Sequence, residues 1–262
     1  DPSKRSSLWT LAIAAAALVC AFAVAAASGA PADTDALSKA AQPYQSAASY
    51  QATIEMEVVA KRGEWEDSRS AEAQVAYDRA KDRVAMQLPG AVVTTDGGKL
   101  VVIVEGVEGH HIETSVPTPV TYDVLVQAVP QLATVVPLQF ALLTSGNPAA
   151  AIAGSDSPDV AAGSDTLSVG TSRVQIDEQG QAATIVTRGQ AGPGNQIALT
   201  TSYTPVKQAF GVELADATFK PDTAQSKGHP TFDAMVTAMR ADQGAANDGQ
   251  PMNTRQLKGK EA

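Results

Sequence analysis

Tyr50-Gln51-Ala52-Thr53-Ile54-Glu55-Met56-Glu57-Val58 decides the fold. Apolar Tyr50, Ala52, Ile54, Met56 and Val58 alternate with polar Gln51, Thr53, Glu55 and Glu57. A period of two puts the two sets on opposite faces of an extended chain, so the stretch predicts a half-buried strand with a wet outer face. The same rhythm continues downstream. Arg62-Gly63 breaks the strand, and Ala71, Val75 and Tyr77 resume the alternation. Val84, Met86 and Leu88 make a further strand, stopped by Pro89-Gly90. Asp96-Gly97-Gly98 is a hairpin signal between Val92-Val93 and the run 100–104, and Glu105-Gly106 turns towards a strand through Ile112. Residues 50–115 therefore predict an antiparallel meander of about five strands.

Upstream, Leu37, Ala40, Ala41 and Tyr44 recur at helical spacing and predict a short helix within 31–47, with Asp35 as its N-cap. Before it, Lys4-Arg5 runs into twenty residues, Leu8 to Ala27, in which Thr10 is the one clearly polar side chain; Ser28-Gly29-Ala30 comes next. A positive start, an apolar run and small residues form the layout of a secretory leader. Three uses of it stay open: a cleaved leader, an inner-membrane anchor through Leu8–Ala27, or a lipoprotein signal at Cys20. Each places the remaining chain outside the cytoplasm, in the periplasm or cell envelope.

Residues 118–146 leave the strand rhythm. Tyr122, Leu125, Val126 and Val129 share one helical face, and Pro130 and Pro137 cut the rest of this segment into short helical pieces. The apolar side chains here predict either a helix packed on the open sheet face or a lid over an apolar cavity. Residues 145–164 read as loop. Four strands then return at 167–169, 174–176, 183–187 and 197–203. They are separated by Asp177-Glu178-Gln179-Gly180 and Gly192-Pro193-Gly194-Asn195, both strong turn chemistry. Phe232, Met235, Val236 and Met239 predict a short amphipathic helix, and 241–254 a polar linker.

Composition narrows the function. Taking Lys4, Arg5 and Asp1 away with residues 1–30 reduces the 19 basic and 28 acidic residues to 17 and 27, a net charge of −10. Such a domain is poorly suited to nucleic acid, whose affinity comes from Lys and Arg. The single Cys lies in the leader, which excludes an internal disulfide, thiol chemistry and zinc–thiolate sites from the remainder. His110-His111 with Glu113 permits at most a two-ligand metal arrangement and reads as a solvated strand end. Glu55, Glu57 and Glu72 read as outer-face residues. No Gly-x-Ser-x-Gly elbow or phosphate-binding loop is present. The expectation is no cofactor, no metal and no catalytic site.

The order of leader, helix, meander, apolar helical insertion and further strands resembles the LolA and LolB-like half-barrel of exported bacterial lipoprotein carriers. The likeness is carried by 47–59, Asp96-Gly97-Gly98-Lys99-Leu100, the Pro-punctuated helices 121–143, 177–187, and the closing Leu214-Ala215-Asp216-Ala217-Thr218-Phe219-Lys220-Pro221. It covers about residues 35–225. The resemblance implies an incomplete barrel whose helical lid encloses an apolar cavity sheltering acyl chains, and hence an apolar ligand or lipidated protein as partner. It also implies a buried strand arginine that latches the lid. Arg69, Arg79 and Arg83 are the candidates by position, although Arg69 and Arg79 read as turn residues. Separately, Arg255-Gln256-Leu257-Lys258-Gly259-Lys260-Glu261-Ala262 resembles the opening of thioredoxin-like redoxin domains of the TlpA and ResA type. That likeness implies an alternative role as the accessory N-terminal domain of an exported thiol-disulfide oxidoreductase. Its fused thioredoxin-like domain, with the redox cysteines, would lie beyond Ala262.

The fold expectation is therefore mainly β (α+β): one curved antiparallel half-barrel sheet with a helical lid on its concave face. The organisation expected is a leader or anchor at 1–30, the half-barrel at 31–225, and a short helix and linker at 226–262. Ile54, Met56, Val58, Val75, Tyr77, Val102, Val104, Leu125, Val129, Leu138 and Phe140 are the side chains expected to point into a shared apolar core or ligand cavity.

Overall fold

A computed structural model describes residues 34–154, 160–163 and 165–248. The leader at 1–30 and the redoxin-like ending at 255–262 lie outside the described residues.

Helix α1 (Thr34–Ser46) leads into β1 (Ser49–Arg62), β2 (Trp65–Asp78), β3 (Arg83–Leu88), β4 (Ala91–Asp96), β5 (Lys99–Val104) and β6 (His110–Ser115). The meander has six strands rather than about five, and β2 begins at Trp65, earlier than its alternation shows. The β4–β5 hairpin turns on Gly97 and Gly98, with φ of 59° and 81°, a backbone that glycine adopts without strain. A helical segment comes next: α2 (Tyr122–Ala128), a 3₁₀ turn at Pro130–Thr134, α3 (Gln139–Thr144) and α4 (Pro148–Ala153). The chain returns through β7 (Val160–Ala162), β8 (Thr166–Val169), β9 (Ser172–Ile176), β10 (Ala182–Ala191) and β11 (Ile197–Phe210). A 3₁₀ turn at Asp216–Phe219, β12 (Lys227–His229) and α5 (Phe232–Asp248) complete it.

All twelve strands join one sheet in the order β12-β6-β5-β4-β3-β2-β1-β11-β10-β9-β8-β7. Pairing is antiparallel except between β12 and β6. β1 and β11, fourteen residues each, pair at the centre and divide the sheet into an N-terminal wing (β2 to β6) and a C-terminal wing (β7 to β10). The helices cover the concave face. Ala41, Tyr44, Leu125, Phe140, Leu142 and Leu143 are buried there against Tyr50, Ile54, Val75, Met86 and Val102 in one continuous core. Tyr44, Tyr50 and Phe210 stack edge-on and tilted with ring centroids 5.2–5.7 Å apart, anchoring α1 at the central strand pair.

Several local expectations are corrected. α1 starts at Thr34, so Asp35 sits in its first turn, where a carboxylate complements the helix dipole, instead of capping it. The stretch 145–164 holds α4 and β7. Asn147 caps α4 through Oδ1 to the Ala150 N–H at 3.1 Å, Pro148 occupies its first turn, and Gly154 ends it in the left-handed region. Those residues have turn chemistry, yet each is also the terminator a short helix requires. α5 continues to Asp248 where a linker is expected, and its Met235 is buried.

The outer face is also covered in the N-terminal wing. The segment after β11 crosses it, and Phe219 is buried against Ala76 and Ala85. Arg83 stacks on the Phe219 ring at 4.2 Å and donates to Asp78 and Asp216, both at 2.8 Å. Burial alone would raise the Asp78 carboxyl, but the Arg83 hydrogen bond and its neighbours hold it below the ordinary value; Asp216 is lowered by hydrogen bonds from Arg83 and Lys81.

A cavity beneath the helical layer

The helical layer is an arch. Thr121 caps α2 by accepting from the Val124 N–H, and Pro130 and Pro137 break the path beyond α2. Thr144 closes the arch: its hydroxyl donates to the Phe140 carbonyl and accepts from the Tyr122 N–H at 3.0 Å, tying the end of α3 to the start of α2. Gln139 fastens the arch to the sheet by donating to the carbonyls of Tyr203 at 2.9 Å and Ala183 at 3.3 Å. The Ala183 carbonyl lies where the β9–β10 register shifts, between Ala182 and Ile185.

One guanidinium clasps two helix ends. Arg79, in the turn after β2, donates to the carbonyls of Tyr44 and Ala47 at the end of α1 and to Leu143 near the end of α3, at 2.9–3.1 Å. Carbonyls at helix C-termini lack intrahelical partners and carry the negative end of the dipole, so a cation satisfies both needs. Arg79 is the turn residue its sequence context implies, and it is also the arginine that holds the helices to the sheet. Arg83 serves the opposite face, and Arg69 is exposed beside Asp67.

Between the arch and the C-terminal wing lies a cavity of about 920 Å³. Its sheet wall comes from the inward positions of β10 and β11, where Thr187 pairs with Thr201, Gly189 with Leu199 and Ile185 with Tyr203. Tyr122 and Val126 of α2, Leu138, and the alanine-rich α4 around Ile152 form the helical wall. Space persists here because the inward side chains are small: a Cβ added at Gly189 would meet nothing within 4 Å. Burial raises the Tyr203 phenol, with Tyr122 adding to the effect, and raises that of Tyr122 to about 12. Both hydroxyls keep their protons at neutral pH and can donate hydrogen bonds. A smaller groove of about 460 Å³ lies on the outer face, bordered by Gln51, Gln74, Gln87 and Thr218.

The side chains expected in a shared apolar core or ligand cavity divide. Ile54, Met56, Val75, Tyr77, Val102, Leu125, Val129 and Phe140 are buried in the packed core; Phe140 meets the Tyr77 ring edge-on at 6.0 Å. Val104 is half-buried against that core, and Val58 is half-buried towards the tip of β1. Leu138, also buried, is the one that lines the 920 Å³ cavity. Thr187, Gly189, Leu199, Thr201 and Tyr203 line it without having been expected there. Their alternation from 197 to 203 is visible in the sequence, but threonine and glycine on the inward face give no apolar signal.

A second polar cluster lies at the far edge of the sheet. His110 Nδ1 is 2.9 Å from His229 Nε2, and its Nε2 is 3.2 Å from Asp242 of α5. His111 meets Ser226 at 2.8 Å and Glu113 at 3.4 Å. A solvated strand end is the expectation at this pair. Instead His110 and His111 are buried, because β12 and α5 cover β6. Among the described residues no group of three His, Cys, Asp or Glu side chains could hold a metal ion. Glu55, Glu57 and Glu72 are exposed on the outer face.

No family model matches the chain, and no curated protein is similar to it. Solved structures are similar in fold. One is a LolA superfamily protein from Nitrosomonas europaea, at 11% identity, covering 74% of this chain and 99% of that one, with a TM-score of 0.33. A second is an outer membrane lipoprotein-sorting protein domain from Vibrio parahaemolyticus, at 10% identity, 69% and 93% coverage and a TM-score of 0.29. A third, MucB of Pseudomonas aeruginosa in complex with MucA, gives 14% identity, 72% and 61% coverage and a TM-score of 0.32.

Proposed function

We propose that this half-barrel is an exported, non-catalytic binding domain that shelters an apolar ligand, a lipid or the acyl chain of a lipidated partner, between its helical arch and its C-terminal wing. The cavity carries this reading. Its size falls in the range of about 300–1,000 Å³ typical of small-molecule sites, and Val126, Leu138, Ile152 and Leu199 give it apolar walls. Transferring an acyl chain out of water is worth about 0.8 kcal/mol per CH₂, so the apolar part of this wall can hold one with no chemistry. Export is supported by the leader pattern Lys4-Arg5 followed by Leu8–Ala27.

The test is to purify the chain from its host, extract it and identify bound lipid by mass spectrometry, beside displacement of a fluorescent fatty-acid probe. Gly189→Trp serves as the blocked control, because a side chain there enters the open space. Lipid on the wild-type chain and none on Gly189→Trp is the expected result. An empty wild-type extract together with no probe response overturns the reading.

A further inference from the structure

We infer that the cavity selects an uncharged lipid ester, with the Tyr203 hydroxyl as the specificity-determining donor to an ester carbonyl of the ligand. The inference rests on the reading of the cavity as a site for an apolar ligand. Tyr203 is 4% exposed and lines the cavity, and its main-chain carbonyl is already taken by Gln139. Its hydroxyl has no hydrogen-bond partner among the described residues. Nor do the hydroxyls of Thr187 and Thr201, which face each other across β10 and β11 one step further along the same inward face. Elsewhere in the core the same chemistry is satisfied: the Tyr44 hydroxyl donates to the Ala182 carbonyl at 2.7 Å. The Tyr203, Thr187 and Thr201 hydroxyls open into the cavity, where an acceptor carried by a ligand can reach them. Three hydroxyls set in a wall with Leu138, Ile152 and Leu199 therefore suit a ligand that is apolar with acceptors partway along it.

Charge decides between acceptors. The ionisable side chains around the cavity, tyrosines aside, belong to Asp123 and Arg188. Ile185, Thr187 and Gly189 alternate inward, so Arg188 projects from the opposite face, and it is exposed. Asp123 stands in the first turn of α2. A free carboxylate would meet the exposed Asp123 at the rim, and a charge carried between Leu138, Ile152 and Leu199 is costly without a partner. An ester carbonyl accepts the same hydrogen bonds without a charge.

Dioctanoylglycerol, its diether analogue and decanoate, each titrated into the full chain by probe displacement, separate the possibilities. The ester should bind roughly fivefold tighter than the diether, the size of one neutral hydrogen bond, with decanoate weakest. Tyr203→Phe should erase the ester–ether difference, with circular dichroism reporting an intact fold. Equal ester and ether binding by the wild type overturns the ester inference alone, as does a preference that survives Tyr203→Phe or decanoate binding as tightly as the ester. A wild-type chain that binds none of the three overturns the cavity reading and this inference together.

Discussion

The two wings of the sheet flank the same central strand pair and end with different interiors. In the N-terminal wing Met86, Val93, Leu100 and Val102 point inward and are fully buried, and Phe140 and Leu125 of the arch are packed over that face. That wing is covered outside as well, by Phe219 and Arg83. In the C-terminal wing Thr187, Gly189 and Thr201 take the inward positions, the facing helix α4 is mostly alanine, and a cavity results. The arch does not stand off the sheet: Gln139 holds it down at the very strands that line the cavity. Room for a ligand is thus set by side-chain volume on one wing, with the backbone pattern unchanged across both.

Paired truncations sharpen that contrast and carry the largest effect. Phe140→Ala should destabilise the chain by about 3–5 kcal/mol, since it empties a close-packed site. Leu199→Ala, at a half-buried position already beside open space, should cost under about 1.5 kcal/mol. Urea denaturation measures both, and equal losses would break the distinction between the wings.

Arg79→Ala comes next. It leaves three helix-end carbonyls without a donor and should cost about 2–3 kcal/mol. Hydrogen exchange should show α1 and α3 opening together. Arg79→Lys should recover only part of the loss, because an ammonium cannot reproduce the planar fork that reaches both helix ends. Independent opening of the two helices would show that Arg79 does not couple them.

The smallest effect is acid-linked. Asp78 and Asp216 have lowered pKa values beside Arg83, so the stability they add is present above their ordinary value of 3.8 and is lost as pH falls through the lower folded values. Denaturation midpoints between pH 5 and pH 2 should fall less steeply for Asp78→Asn/Asp216→Asn than for the wild type. Unchanged slopes would mean that this clasp adds nothing to the covered outer face.

Much of the fold is legible in the sequence because strands, hairpins and helix breaks are written in neighbouring residues. Tyr50 to Val58 announce β1, Gly97-Gly98 the β4–β5 hairpin, and Pro130 and Pro137 the broken arch. The site is less legible. Most of the residues expected in a shared apolar core or cavity lie in the packed core, since apolarity marks burial and burial is commoner than emptiness. Thr187, Gly189 and Thr201 look like ordinary strand residues, and Arg79 like an ordinary turn residue.

By itself, the sequence determined the alternation of strand faces, the turns, the breaks in the helical segment and the acidic, cysteine-poor character of the chain after residue 30, all of which depend on composition or on residues a few positions apart. Tertiary structure alone decided which wing stays open, which arginine clasps the helices and which histidines meet. Arg79 reaches Leu143 across 64 positions and His110 reaches His229 across 119. Contacts at such separations depend on strand order and on the volumes facing each other across the arch, and no local periodicity encodes either.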